Sequence, residues 1–574
     1  MENNKQEAAR FLMQATLGAD LETINRVAEK GISKWLDEQL DAPLAADDRF
    51  AKKTNAIWQS FRKRLVQAYG QDALDGNGNN PALPYQWYFR MAWWDKNLSG
   101  KTENLLRHRI AQALSEILVI SENSQLELDA VSMASFYDIL YVNAFGQYTD
   151  ILYDVSMHPA MGVYLSHMNN RKADPERNIH PDENYAREIM QLFSIGLFEL
   201  NRDGSRVKDS QGRDVPTYDN RDIKELARVF TGLKAASYLY EWNTSTFPYN
   251  GSTIDFDDGV SKTYKTIPFV DMVKPMVVDP KFHDTGSKTL LKGRINLPSG
   301  QSGTRDIRDV VNALVAHPST GPYIAHKLIQ QLVTSNPSPS YVQAVAEAFG
   351  DQGDMKAVVK TLLTHPEARQ PKKLKSPLLR TTQLLRAFQA KNKSGKLWLT
   401  GDDLKESLAH HPMAAPTVFN FYKPDYAPHG PIDNAGLVAP EFELHNSATS
   451  IAYVNTMYNW FFGEYYPLVS TKISMTDTNI PELEPDVLFS YKRDQLNLDF
   501  SEELVLARRR DFDGLIDRVS LLLNGTAQCE VREDIKTAIA NYPRNPKWVV
   551  QTVAFLISIS PQFAVLDNQQ EGAA

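Results

Sequence analysis

The chain has 574 residues, more than one hydrophobic core usually organises, so roughly two or three structural units sharing a helical body are expected. Hydrophobic residues make up 42% and charged residues 23%, ordinary globular usage that excludes wholesale disorder. The net charge of −8 provides no global field to gather phosphates, which argues against a nucleic-acid partner, and the single cysteine, Cys529, excludes a disulfide framework and multi-cysteine metal sites.

In chain order, residues 1–20 form an amphipathic pattern interrupted by charges rather than an export signal, so an exported form would have been supplied without its leader and a complete chain would be cytoplasmic. No apolar stretch is long enough to predict a transmembrane segment. From Thr102 to Ile120, Leu105, Ile110, Leu114, Ile117 and Leu118 fall largely on one side of a helix. The same spacing predicts helices near 5–17, 20–40, 85–98, 126–146, 182–197, 219–231, 305–316, 321–333, 340–349, 354–364, 376–390, 446–462, 513–523 and 545–558. The expected fold is therefore mainly α, with a small irregular or β-hairpin insertion near 236–303, where SKTYKTIPF and KTLLKGRINLPSG read as short strands and turns. This divides the chain into an N-terminal helical region (1–200), a central helix with loops and hairpin (201–303) and a C-terminal helical region (304–574). Two further irregular stretches lie at 201–216 and 411–445.

A His-Pro step recurs at helix ends, at His158-Pro159, His317-Pro318, His365-Pro366 and, as a variant, His410-His411-Pro412. Proline stops a helix, and the preceding imidazole can bond its last carbonyls, so these histidines read as structural.

The segment HPDENYAREIMQLFSIG, His180 to Gly196, is the leading candidate for a functional centre. Pro181 suits a first helical turn, with His180 as cap. At 100° per residue Tyr185, Ile189, Leu192, Phe193 and Gly196 share one face, and Glu183, Asn184, Arg187 and Gln191 the other. Glu188 falls on the border, where a carboxylate is partly buried and its pKa perturbed. Glu183 and Arg187, four apart, also suit an ordinary surface ion pair. In the next helix Asp219 and Asp222 suit a capping box, with Glu225 and Arg228 on the polar side. The block KFHDTGSKT places His283, Asp284 and Lys288 in one turn, able to present an imidazole and a carboxylate for general base work or half of a divalent-metal site, or simply to cap backbone amides.

The run SHMNNRKADPERNIHPDENYAREIMQLFSIGLFEL, then TYDNRDIKELARVFTGLK and DPKFHDTGSKTLLKG, resembles the family called Domain of Unknown Function 1800. The blocks AARFLMQATLGA, HRIAQALSEILVIS, PTVFNFYKPDYAP and NAGLVAPEF extend the likeness over almost the whole chain. Where the family pattern has Asn-Glu-Asn-Phe-Ala-Arg-Glu, this chain runs Asp182-Glu183-Asn184-Tyr185-Ala186-Arg187-Glu188. The resemblance implies a bacterial protein, often exported to the periplasm or beyond and often encoded beside a protein similar to alkaline phosphatases and sulfatases. It implies no reaction.

Other chemistries are poorly served. GSKT lacks the first glycine of a phosphate loop, and there is no His-Glu-x-x-His or Gly-x-Ser-x-Gly. Asp75, Asn77 and Asn79, and Asp255, Asp257 and Asp258, have oxygen ligands at calcium spacing but no closing glutamate, and read as solvated turns. The aromatics Tyr85, Tyr88, Phe89 and Trp93 sit at helical spacing and read as core, as do those from Tyr458 to Tyr466. Lys372, Lys373 and Lys375, and Arg508 to Arg510, read as solvated basic faces.

Together these features suggest a polar cleft in which Glu188 or Asp284 is the acid or base, assisted by Glu183. His283 transfers a proton or holds a divalent metal, and Arg187, Lys288 and Asn184 hold an anionic substrate. The corresponding function is a hydrolase or lyase acting on an extracellular polymer such as a charged polysaccharide. The competing expectation is a non-catalytic helical scaffold that binds a phosphatase- or sulfatase-like partner.

Overall fold

A computed structural model describes residues 2–70, 83–99, 104–239, 253–255, 261–263, 269–463, 494–540 and 544–567. The fold is mainly α, with small two-stranded antiparallel sheets. Much of the helix layout follows from caps written in the sequence. Ser338, Ser376 and Ser560, each followed by proline, accept a hydrogen bond from the third residue onward (Tyr341, Leu379 and Phe563) while the proline occupies the first turn. Asp219 and Asp222 form the expected capping box of helix Asn220–Val229. The other oxygen of Asp222 turns inward, accepting from the Leu291 amide at 2.6 Å.

The His-Pro steps act in the opposite direction to the one the sequence suggests. His158, His317 and His365 each accept through Nδ1 from the backbone amide two residues on, at Ala160, Ser319 and Glu367. They therefore open the following segment, as a Ser or Asp cap would, rather than close the preceding one. This also fixes the proton of neutral His158 on Nε2, which meets Ser135 Oγ at 2.8 Å, so that pair lacks the free Nε2 acceptor a Ser-His nucleophile requires.

Two helix boundaries correct the periodicity. The helix expected over 20–40 is two, Leu21–Lys30 and Ile32–Asp41, because Gly31 at φ +89 ends the first and begins the second. The 20-residue helix Phe50–Tyr69 was hidden by its Lys and Arg content, yet it buries Phe50, Ile57, Phe61 and Leu65 along one stripe. The insertion contains a ribbon with pairings Leu233–Val278, Tyr238–Val270 and Thr253–Thr263, followed by the hairpin Lys288–Leu290 with Ile295–Leu297. Residues Asp75, Asn77, Asn79, Asp257 and Asp258 lie outside the described residues.

One hydrophobic cluster runs from Ala8 to Phe563. The chain ends are tied to its middle: Gln14 donates to Ala368 O, Gln383 to Leu523 O, and strand Lys372–Leu374 pairs with Val565–Asp567. Lys372 is exposed, as the sequence suggests, but the solvated reading fails for the two lysines that follow. Lys373 and Lys375 are buried, Lys375 donating to Gln383 at 2.8 Å and lying 4.1 Å from the centre of the Phe563 ring. Arg508 to Arg510 are exposed, as the sequence suggests. Among the described residues no helix is long and apolar enough to cross a membrane.

Close approach of the N-terminal loop to helix Pro377–Ala387 depends on Gly18, at φ +118, where a Cβ would lie 2.6 Å from Gln383 Cα. Gly18→Ala should destabilise the protein by more than ~2 kcal/mol through clash and strain, against about 1 kcal/mol for Gly212→Ala, whose Cβ meets nothing. Urea unfolding midpoints of the two variants measure the difference, and equal midpoints would refute it.

Candidate functional site

The residues singled out by sequence divide into two groups with different partners. Glu183 and Arg187 form an exposed pair 3.7 Å apart, and Asn184 begins the helix Asn184–Gln191, its Nδ2 donating to Ser166 Oγ at 3.4 Å. The helix starts later than Pro181 suggests, after Asp182 accepts from the Asn184 amide. Glu188 is buried, its Oε2 without a hydrogen-bond partner among the described residues. Burial raises its carboxyl pKa, the Arg187 charge opposing only in part.

His283, Asp284 and Lys288 are fastened to other elements. Lys288 Nζ reaches Asp306 Oδ2 at 2.6 Å and also donates to the carbonyls of Asp284 and Gly286; lysine and aspartate are both buried. His283 Nδ1 donates to Thr231 O at 2.9 Å, and its Nε2 faces Asp306 at 3.3 Å. Asp284 takes a two-pronged bond from Arg228, which also holds Glu225. That clamp lowers the Asp284 pKa. Among the described residues no hydrogen bond or ion pair joins Glu188 to His283, Asp284 or Lys288. The turn behaves as a clasp between helices Asn220–Val229 and Gly303–Val315.

The C-terminal end of the helix that carries Glu188 adjoins a cavity of about 460 Å³, which Glu188 itself does not line. Gln191, one turn beyond Glu188, lines it and is held by Tyr323 and Tyr218, whose hydroxyls donate to its carbonyl and side-chain oxygen at 2.8 and 3.3 Å. One wall is a small meander over 198–216, joined by bonds from Glu199 N to Val215 O, Val207 N to Glu199 O and Val215 N to Val207 O. It contributes Phe198 and Arg206, the guanidinium lying 4.5 Å from the Phe198 ring centre while Nη1 donates to Asp214. Helix Thr320–Leu332 contributes Tyr323, His326, Lys327 and Gln331, and the segment after His411 contributes Phe419, Asn420 and Tyr422.

The floor is a neutral balance of buried charges. Helix Thr320–Leu332 ends with carbonyls that need donors, and Lys373 bonds Gln330 O at 2.6 Å and Gln331 O at 3.0 Å while Arg109 also donates to Gln331 O. Lys373 is paired with Glu441 at 2.6 Å. Glu116 accepts from Gln112 at 3.0 Å and Tyr422 at 2.9 Å, and meets His410 Nε2 at 3.2 Å. Its burial alone would raise its pKa, but the bonds from His410, Gln112 and Tyr422 win and hold it at about 2. Tyr422 is pushed well above the usual phenol range by burial and by Glu116, so it stays a neutral donor.

Above this floor stands Lys327, half-buried, 4.9 Å from the Tyr323 ring centre and without a hydrogen bond or ion pair among the described residues. Burial lowers its amine to about 8, with Asp425 opposing, and His326 beside it is brought to about 4 by burial and the Lys327 charge. Asn420 Oδ1 and Glu441 Oε2 are buried acceptors without partners among the described residues, both on residues that line the cavity. The arrangement can bind an anion and move a proton through a neutral amine. No group of three or more His, Cys, Asp or Glu suited to a metal is present among the described residues.

Of these residues the sequence reading named His410, as a structural variant of the His-Pro step, and it is the His-Pro histidine that meets a glutamate in this floor. Glu116, Tyr422 and Glu441 sit within the blocks ALSEIL, NFYKPD and APEF that carried the family resemblance. Lys327 carried no sequence signal beyond its place on a predicted helix.

Because the folded state favours protonated Glu188, its contribution to stability is full below the carboxyl's unfolded pKa and is lost as pH rises through the folded value. Glu188→Gln should therefore raise the thermal midpoint at pH ~7 and lose that advantage near pH ~4. Scanning fluorimetry at the two pH values checks this; a gain of equal size at both would show that charge is not the cause.

No curated protein and no solved structure shows significant similarity to the chain. A family model described as Protein of unknown function (DUF1800) matches residues 10–565, nearly its whole length, and the chain belongs to that family.

Proposed function

We propose that the cavity beneath the 198–216 meander is the active site of a hydrolase or lyase acting on an anionic saccharide polymer. The observation that carries this reading is Lys327, a half-buried amine with no hydrogen bond or ion pair among the described residues, brought to about 8 in a cavity whose other buried charges balance one another. About a tenth of such an amine is unprotonated at neutral pH, enough to serve as a base, while the protonated remainder attracts an anion.

Two further features favour a saccharide. Phe198 and the half-exposed Phe419 line the cavity with aromatic surface on which a sugar ring can stack. Arg206 and Lys423 place positive charge on the same wall and rim. The volume, about 460 Å³, suits a short stretch of polymer or a chain end. Glu188 belongs to this reading as the carboxyl behind Tyr323 and Tyr218, coupled to both through its charge.

The scaffold reading draws on a separate feature, the exposed apolar stripe Ile451, Val454 and Tyr458 on helix Ser447–Phe462, where Tyr458 faces solvent and not the core that its spacing suggests; the stripe suits a protein partner such as a phosphatase- or sulfatase-like neighbour. The two readings respond to different substitutions. With polymer shortening followed by viscometry, Lys327→Met should lower the rate at least ~100-fold while the unfolding midpoint is kept, and Tyr458→Asp should leave the rate unchanged. Full activity in Lys327→Met would eliminate the active-site reading.

A further inference from the structure

We infer that bond cleavage in this cavity is an elimination from a uronate residue, with the Lys327 amine taking the proton from the carbon α to the sugar carboxylate. The inference rests on the active-site reading above and identifies both its reaction and its substrate class.

Hydrolysis by the usual glycosidase route requires two carboxyl groups flanking the scissile bond, one of them protonated in a dry environment and able to donate. The carboxylates that line the cavity do not provide that pair. Glu116 is fixed as an anion, with both oxygens committed to His410, Gln112 and Tyr422. Glu441 is buried against Lys373 and offers its second oxygen only as an acceptor. Asp425 stands exposed at the rim, in water rather than in the dry setting that a donor needs.

What the cavity does hold is an amine and a guanidinium. Lys327 is free of hydrogen bonds and ion pairs among the described residues, and its position over the Tyr323 ring leaves the lone pair of the neutral amine uncommitted. Arg206 spends Nη1 on Asp214 and keeps further N–H groups of its fork for a carboxylate. Neutralising a uronate carboxylate in this way stabilises the carbanion-like charge that develops at the adjacent carbon. Burial, which sets the Lys327 amine near 8, suits it to abstract that proton and later return it.

The step balances without a co-reactant. The proton on the α carbon passes to Lys327 Nζ, and its electron pair becomes the new carbon–carbon double bond as the bond from the β carbon to the glycosidic oxygen breaks. The departing alkoxide takes the proton back from the Lys327 ammonium. The products are an unsaturated uronate end and a free hydroxyl, and no water is consumed.

The test uses the full chain with polygalacturonate, alginate and hyaluronan, following polymer length together with the ultraviolet absorbance of unsaturated ends and the mass of the fragments. The expected result is shortening of at least one polymer into fragments lighter by one water than hydrolysis products. Lys327→Arg should lose at least ~100-fold in kcat with KM changed only a few-fold, because the charge that holds the substrate remains while the base is lost. Saturated fragments, or full turnover in Lys327→Arg, would overturn the elimination and leave the cavity as an active site of another kind. No shortening of any of the three polymers would overturn both readings together.

Discussion

The end of helix Thr320–Leu332 is the point on which the candidate site depends. Its final carbonyls are buried, and a helix end buried without donors costs free energy for each unsatisfied group, about 1–3 kcal/mol. Lys373 and Arg109 meet that need with full positive charges, which also suit the negative end of the helix dipole. Two buried cations then require two buried anions, which Glu441 and Glu116 supply. Glu116 in turn fixes Tyr422 and His410, so the segment after His411 is held over the cavity by a demand that begins in backbone chemistry one helix away.

A second buried charge system holds the same segment from behind. Arg90 engages Glu122 and Asp402, Lys405 reaches Glu122 at 2.7 Å, and Trp94 donates to His411 at 3.0 Å. Breaking one partner of such a set is costly because the remaining charge is left uncompensated in a dry setting, typically by about 3–5 kcal/mol. This gives the loop its order without regular secondary structure, and explains why a proline- and glycine-rich stretch can carry site residues.

Much of the helical framework was legible because its information is local: cap residues, prolines in first turns and periodic apolar positions lie within a few residues of the element they specify. The Ser-Pro starts at 338, 376 and 560 show this directly. The site was less legible because its specification is distant. Glu116 and Tyr422 are 306 residues apart, and the basic look of Lys373 and Lys375 changes meaning only when Glu441 meets the one and the Phe563 ring the other. The border position of Glu188 was readable from helical geometry, whereas the attachment of His283 and Lys288 to Asp306 depends on how a later helix packs. Lys327 had no signature at all, since a lysine near the end of an amphipathic helix is ordinary until its surroundings bury it without an ion pair.

The strand that pairs with Lys372–Leu374 bears on the order of assembly. Val565–Asp567 is the last element described, and it pairs with Lys372–Leu374 across nearly 200 residues of intervening chain. During synthesis from the N-terminus, Lys372–Leu374 emerges well before Val565–Asp567, so this pairing is a non-local contact that forms late. Pairing of Val565–Asp567 thus ties the segment that carries Lys373 and Lys375 to an element far along the chain, a contact that local folding cannot supply.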